Sequence, residues 1–206
     1  MAMVTQVKNN SPRHRMLCDA LADSICERLF GHEFAPRAPL DEAALAARYG
    51  TPRLALVAAL EQLARDRLLT ARTEGGYCAA GYCLADIEDI LALLERIRLF
   101  MARRQALQTG SADEIVAASP YWGVAGLAVE RSFTVAARSL YEQLRMGIGP
   151  ELAALEAQCA KACGDDLARA VASGEIGPVE DVCAESARMF RQRILAAFDG
   201  VCARRA

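Results

Sequence analysis

The cysteines and histidines have the widest chemical repertoire of any side chains in this sequence. Its 206 residues include eight cysteines but only two histidines, His14 and His32. A Cys/His zinc site needs four ligands at short, defined spacings, and these residues do not form such a pattern. Nucleophilic catalysis would need a histidine in a cleft, and no glycine-rich phosphate loop followed by Lys and Ser or Thr occurs. We therefore expect a protein that is not an enzyme, with no metal and no cofactor.

One cysteine pair leaves an alternative open. Cys159 and Cys163 are four residues apart in a helical pattern, so they share one face of a helix. Small buried thiols are the simpler interpretation of such a pair. Soft-metal or redox chemistry is the other.

Composition indicates a soluble, helix-rich protein. Hydrophobic residues make up 53% of the chain, which is ample for buried cores, and aromatic residues are few. No run of about eighteen apolar residues occurs, and the first fifteen residues lack the apolar stretch of a signal peptide. We expect a cytoplasmic protein without membrane contact. The net charge is −2, and residues 1–80 hold ten Lys/Arg against nine Asp/Glu, a weak basic surplus.

Residues 40–76 have the pattern of a helix, a tight turn, a second helix and a wing. Asp41 can cap a short helix that ends at Gly50. Thr51 can cap the next helix, with Pro52 at its first position, where a missing N–H costs nothing. The second helix has an apolar face formed by Leu56, Leu60 and Leu63. Two helices joined by such a turn form a helix-turn-helix, whose second helix can lie in the DNA major groove.

The rest of the chain is predicted to be helical apart from one small hairpin. Residues 68–72 and 77–80 can pair as the wing. Glycine-containing breaks then separate helices predicted at about 86–108, 112–118, 123–147, 149–163, 165–173 and 178–203. We predict a mainly α fold in four parts: a disordered arm (1–12), a winged helix-turn-helix (13–80) that opens with a helix over 16–30, a linker (81–85) and an all-helical bundle (86–206).

This order resembles the GntR superfamily of bacterial transcription regulators, in the FCD or FadR-like branch. The run A-P-L-D-E-A-A-L-A-A-R-Y-G-T-P-R-L-A-L-V-A-A-L-E-Q-L-A-R-D-R-L is similar to the family pattern P-G-x-x-L-x-E-x-x-L-A-x-x-L-G-V-S-R-x-P-V-R-x-A-L-x-x-L-x-x-x-G-L. The resemblance implies a homodimer that binds operator DNA and responds to a small-molecule effector. It also implies a role for the helical domain in effector binding and dimerisation.

In the resemblance, Arg53 matches a recognition-helix arginine of the family, whereas other family arginines are missing here. Arg48, Arg65 and Arg72 can compensate partly through phosphate contacts. The candidate DNA-binding residues are Arg53, Thr51, Arg48, Arg65, Arg72 and Gly76. Val57 stands where the family has a second recognition arginine, and Glu74 stands in the wing where an arginine is expected. Each loss removes on the order of 1–3 kcal/mol of recognition. An alternative is therefore an interaction module or co-regulator that keeps the fold but binds DNA weakly.

Many members of this branch hold a metal through an aspartate and three histidines in the bundle. Here no histidine follows His32, so the resemblance implies an apolar, aromatic pocket without such a metal. The effector would be apolar or a carboxylate. The candidate effector-binding residues are Tyr121, Trp122, Phe133, Arg138, Tyr141 and Arg145.

Overall fold

The computed structural model describes residues 12–108 and 131–205, and these residues form seven α-helices and one two-stranded sheet. The predicted mainly α fold class is confirmed. The chain divides into two compact units, residues 1–81 and 82–206. Within the two described ranges, no helix is long and apolar enough to cross a membrane.

The N-terminal unit is a three-helix core with a hairpin. Its elements are α1 (Pro12–Phe30), α2 (Glu42–Tyr49), α3 (Arg53–Arg65), β1 (Leu69–Ala71) and β2 (Tyr77–Ala79). Helix α1 begins at Pro12, earlier than the predicted residue 16, because proline is well tolerated in a first helical turn. The predicted apolar face of α3 is buried, and it packs against α1.

The turn between α2 and α3 follows the predicted chemistry in part. The Asp41 side chain accepts a hydrogen bond from the Ala44 N–H at 2.9 Å, and Gly50 ends α2 with a φ of 56°, a conformation that favours glycine. The prediction that Thr51 caps α3 is wrong. Pro52, not Thr51, is the N-cap of α3, because its extended backbone lets its carbonyl accept from the N–H groups of the first turn.

The wing is a tight antiparallel hairpin with a third segment beside it. Leu69 pairs with Ala79 and Ala71 with Tyr77, and Gly75 and Gly76 take positive φ at the turn. The segment that connects α1 to α2 lies along β2. The Leu40 N–H donates to the Tyr77 carbonyl at 2.9 Å, so this segment covers one edge of the hairpin.

The C-terminal unit is helical throughout its described part. Its helices are α4 (Leu84–Gln108), α5 (Arg131–Ile148), α6 (Glu151–Ala172) and α7 (Ile176–Arg205). A large apolar cluster joins all four, with Ile87, Leu144 and Phe190 among its fully buried members. The predicted helix at about 112–118 and most of the start of the one at 123–147 lie outside the described residues.

Helix α6 corrects one prediction. The sequence predicts a break at Gly164-Asp165, but α6 continues through it without a change of conformation. A glycine inside a helix costs roughly 1 kcal/mol. Continuing the helix keeps Cys159, Cys163 and Leu167 on one buried face, and that burial is worth more than the glycine costs.

Gly147 lies where α5 passes close to Ile87 of α4. A Cβ atom placed on Gly147 would lie 2.6 Å from the Ile87 Cδ1 atom, and Ile87 is completely buried. A side chain at this position would therefore force the buried Ile87 side chain, or the helix that carries it, to shift. Gly164 is the opposite case, because a Cβ there would meet nothing within 4 Å.

These two glycines give a paired stability test. We expect Gly147→Ala to lower the free energy of unfolding by about 1–3 kcal/mol through overpacking. We expect Gly164→Ala to raise it by about 0.5–1 kcal/mol, because alanine has the higher helix propensity. Urea unfolding followed by far-UV circular dichroism measures both. Shifts of the same sign in the two variants would contradict the packing described here.

Candidate nucleic-acid interface and buried polar cluster

Glu42 lies between the start of α3 and the wing. Its Oε2 atom is 3.7 Å from the Arg53 Nη2 atom. A Cβ on Gly76 would lie 3.3 Å from its Oε1 atom, so the wing turn passes directly over this carboxylate. The fold thus brings two predicted DNA-binding residues, Arg53 and Gly76, to one place. Glu42 itself was not among the predicted site residues, although it matches the family pattern.

The Arg53 side chain is 82% exposed, so its contact with Glu42 leaves most of the guanidinium accessible. Arg53 is at the N-terminal end of α3, where the helix dipole disfavours a cation. Glu42 offsets part of that penalty, since α3 has no acidic residue in its first turn. Arg53 is therefore held at the surface by a weak, solvent-screened ion pair.

The wing arginine is also paired. The Arg72 Nη2 atom lies 3.0 Å from the Glu74 Oε2 atom, two residues along the turn. The Arg72 N–H donates to the Gly76 carbonyl at 3.0 Å, which closes the turn. Glu74, which stands where the family has an arginine, therefore partly neutralises the charge of Arg72 in the same wing.

The other predicted DNA-binding residues are more dispersed. Arg48 is exposed in the last turn of α2, and Arg65 is exposed at the C-terminal end of α3. The Thr51 hydroxyl is buried and has no hydrogen-bond partner among the described residues. Burial raises the pKa of the Tyr77 phenol, the charges of Glu61 and Glu42 raise it further, and Arg65 partly opposes them. Tyr77 thus lies among both acidic and basic groups of this face.

A second group of polar side chains lies inside the C-terminal bundle. We call Arg98, Tyr141, Arg145 and Glu156 the polar cluster. Arg98 on α4 is 4% exposed and Glu156 on α6 is 8% exposed. The Tyr141 hydroxyl on α5 donates a hydrogen bond to the Glu156 carboxylate.

Two members of the polar cluster, Arg98 and Glu156, act electrostatically on the α6 cysteines. Burial raises the pKa of Cys159, and the charge of Glu156 raises it further. The charges of Arg193 and Arg98 partly lower it. Burial also raises the pKa of Cys163, with Arg98 again opposing. Both thiols stay protonated at neutral pH, which makes them poor nucleophiles and poor ligands. Within residues 12–108 and 131–205, no group of three or more His, Cys, Asp or Glu side chains could hold a metal.

The predicted effector residues are only partly brought together. Tyr141 belongs to the polar cluster, and the charge of Arg145 partly lowers its pKa, so Arg145 is near it. Arg138 instead is exposed and pairs with Glu142 at 3.0 Å on the outside of α5. Tyr121 and Trp122 lie outside the described residues, as does the side chain of Phe133. An open depression of about 370 Å³ lies elsewhere, at the turn between α6 and α7.

Sequence reasoning missed Arg98 and Glu156, although a signal for both was present. Arg98 continues the buried stripe of α4 that includes Leu91 and Leu94. Glu156 lies between Leu152 and Cys159 on the buried face of α6. A charged residue in register with an apolar stripe indicates a buried charge with partners.

Two solved structures share this architecture. McbR/YncC from E. coli superposes with a TM-score of 0.54 at 15% identity, over 90% of this chain and 98% of that one. A transcriptional regulator GntR from Rhodococcus sp. RHA1 superposes with a TM-score of 0.52 at 17% identity, over 85% and 98%. The chain has the GntR-type fold. The predicted resemblance to the GntR superfamily is thereby confirmed at the level of the fold. No family model and no curated protein matches the chain.

The polar cluster of this GntR-type fold gives a stability prediction. Tyr141→Phe removes the hydroxyl donor from a buried carboxylate, so we expect the free energy of unfolding at pH 7 to fall by about 1–3 kcal/mol. Burial, with the hydrogen bond to Glu156, raises the pKa of Tyr141. The stabilisation of the folded state by the Tyr141 hydroxyl is therefore complete below the usual phenol pKa of about 10 and is lost as the pH rises above that value.

Chemical denaturation at pH 7, 9 and 10.5 measures this. The difference between the original chain and Tyr141→Phe should be equal at pH 7 and 9 and smaller at pH 10.5. A difference below about 0.5 kcal/mol at pH 7, the size typical of a surface substitution, would contradict the buried hydrogen bond.

Proposed function

We propose that this protein is a ligand-responsive transcription regulator that binds operator DNA as a dimer through its N-terminal winged helix-turn-helix. The observation that carries the proposal is the convergence of the exposed Arg53 and the glycine turn of the wing beside Glu42. In a winged helix-turn-helix, that convergence would present one arginine to the major groove while the wing approaches the backbone. The GntR-type fold supports the same function, and a transcription regulator of this kind is not an enzyme.

A second candidate follows from the outer face of α3. Leu54 is exposed beside Arg53, and Val57 is half-buried on the same side. An apolar side chain here could meet a thymine methyl group in a groove or a side chain of a partner protein. The second candidate is therefore an interaction module or co-regulator that binds DNA weakly.

A titration of the Arg53→Ala variant separates the two candidates. We expect its affinity for duplex DNA from its own upstream region to fall roughly ten- to a hundredfold, because one bidentate contact contributes about 1–3 kcal/mol. Fluorescence anisotropy at two salt concentrations, with unrelated duplex as competitor, measures affinity and sequence preference together. Arg188→Ala is the matched control, since it removes a similarly exposed arginine from α7 in the other unit.

Glu74→Gln should act in the opposite direction in the same titration. It removes the acid that holds Arg72, so we expect DNA binding to tighten about two- to fivefold, the scale of an exposed ion pair. Glu88→Gln, on α4, removes the same charge from the C-terminal unit and should change nothing. Binding that is weak, has no sequence preference and does not respond to Arg53→Ala would exclude operator reading and favour the co-regulator.

The effector part of the proposal is supported by the polar cluster. Arg98 is buried and Arg145 is half-buried, and each lies near a group that Glu156 also influences, Cys159 for Arg98 and Tyr141 for Arg145. A ligand carboxylate could pair with these guanidinium groups, and charge interactions are stronger there than in water. The proposed effector is therefore a small carboxylate with an apolar body.

Octanoate and 1-octanol form a matched pair of probes for this site. We expect octanoate to raise the unfolding temperature by several degrees, since saturation at about 100 times the Kd contributes about 2.7 kcal/mol, and 1-octanol to have little effect. Arg145→Ala should abolish the octanoate shift. Arg138→Ala, on the exposed side of the same helix, should retain it. Equal shifts with both probes, or none with either, would contradict a carboxylate site.

A further inference from the structure

The outer face of α3 carries an apolar patch that begins beside Arg53. Leu54 is 57% exposed, and Val57 and Ala58 are half-buried. Val57 and Ala58 follow Leu54 by three and four positions, so the three residues lie on one side of the helix. We call Leu54, Val57 and Ala58 the α3 patch. The leucines of α3 that pack into the core lie on its opposite side.

The α3 patch occupies the part of α3 that would enter a DNA groove. In a helix-turn-helix, the N-terminal residues of the second helix contact base edges in the major groove. Leu54 is in the first turn of α3, directly after Arg53, whose side chain is 82% exposed. A pose in which Arg53 reaches a base would therefore bring Leu54 into the same groove.

A leucine side chain discriminates between bases because it cannot form a hydrogen bond. A polar base edge that lost water against Leu54 would be left without a partner, and that loss is unfavourable. In the major groove, thymine is the base that presents a methyl group. Packing this methyl group against leucine removes apolar surface from water on both sides. The chemistry of the α3 patch therefore matches thymine.

We propose that Leu54 is a specificity-determining residue that packs against the C5-methyl group of a thymine in the DNA major groove. Val57 and Ala58 extend the apolar surface along the same side of α3. The inference rests on the proposed function, because it names a base that the winged helix-turn-helix recognises. It assigns the α3 patch to DNA, and a protein partner on the same patch is the competing outcome.

Replacing thymine by uracil tests the contact, because the exchange removes the methyl group and leaves base pairing unchanged. Duplex DNA from the protein's own upstream region is prepared in two forms, one with thymine and one with uracil throughout. We expect the full-length chain to bind the uracil form about fourfold more weakly for each methyl group contacted, the scale of one buried methyl group. Fluorescence anisotropy measures both dissociation constants.

The Leu54→Ala variant completes the cycle. It should bind the thymine form at least about fourfold more weakly than the original chain, and it should bind the two forms equally. Leu93→Ala is the matched control, since it removes a leucine that is 47% exposed on α4 in the other unit, and it should retain both the affinity and the discrimination. Circular dichroism checks that each variant is folded.

Two results would overturn the inference. The first is equal binding of both forms by the original chain, and if Leu54→Ala then binds as the original chain does, the α3 patch is left to a protein partner. The second is a preference for thymine that Leu54→Ala retains, because that preference would come from the shape of the DNA and not from Leu54.

The inference and the proposed function can fail separately in these titrations. Sequence-specific binding that depends on Arg53 but not on the thymine methyl groups would support the proposed function and overturn the inference. Binding that depends on the methyl groups through Leu54, but not on the order of the bases, would support the inference and contradict operator reading. Binding to neither form would overturn both.

Discussion

The orientation of α3 depends on the burial of three leucines. Leu56, Leu60 and Leu63 are almost completely excluded from water and pack toward α1. Each contributes about 1.5–3 kcal/mol, so no other rotation of the helix competes. Because the helix repeats every 3.6 residues, this burial directs Leu54 and Glu61 outward. The burial of the leucines thus determines which residues α3 exposes, and the exposed face has few hydrogen-bond donors.

Two arginines of this face each form an ion pair with an acidic side chain of the same unit. Arg53 is close to Glu42, and Arg72 is close to Glu74. Arg53 and Glu74 are largely exposed, so exchanging either carboxylate for a DNA phosphate would cost less than about 1 kcal/mol. In a DNA complex the two acids would still lie nearby and would repel phosphates at other points of the backbone. Such a face would give weak non-specific attraction, and discrimination would then depend on the few contacts that Arg53 and the α3 surface can make.

Local signals made much of the N-terminal unit predictable from sequence. The Asp41 cap, the left-handed Gly50 and the glycine pair of the wing each act within a few residues, so their consequences can be inferred without the rest of the chain. The α3 leucine face was predictable for the same reason. The pairing of the connector with β2 was not, since it depends on which strand edge is left open in three dimensions. Continuity of α6 through Gly164 was also missed, because tertiary burial there overrides local propensity.

The polar cluster was the least predictable part, because a side chain's partners come from other helices. Burying Arg98 and Glu156 requires desolvation that well-packed apolar residues would avoid, so the bundle gives up stability to keep them. Arg98 is on the buried side of α4, and Glu156 is on the buried side of α6. Both helices contribute to the apolar cluster that joins the bundle. A ligand that bound at the polar cluster would therefore act on two helices that are packed into one core, which is the physical requirement for transmitting its binding through the bundle.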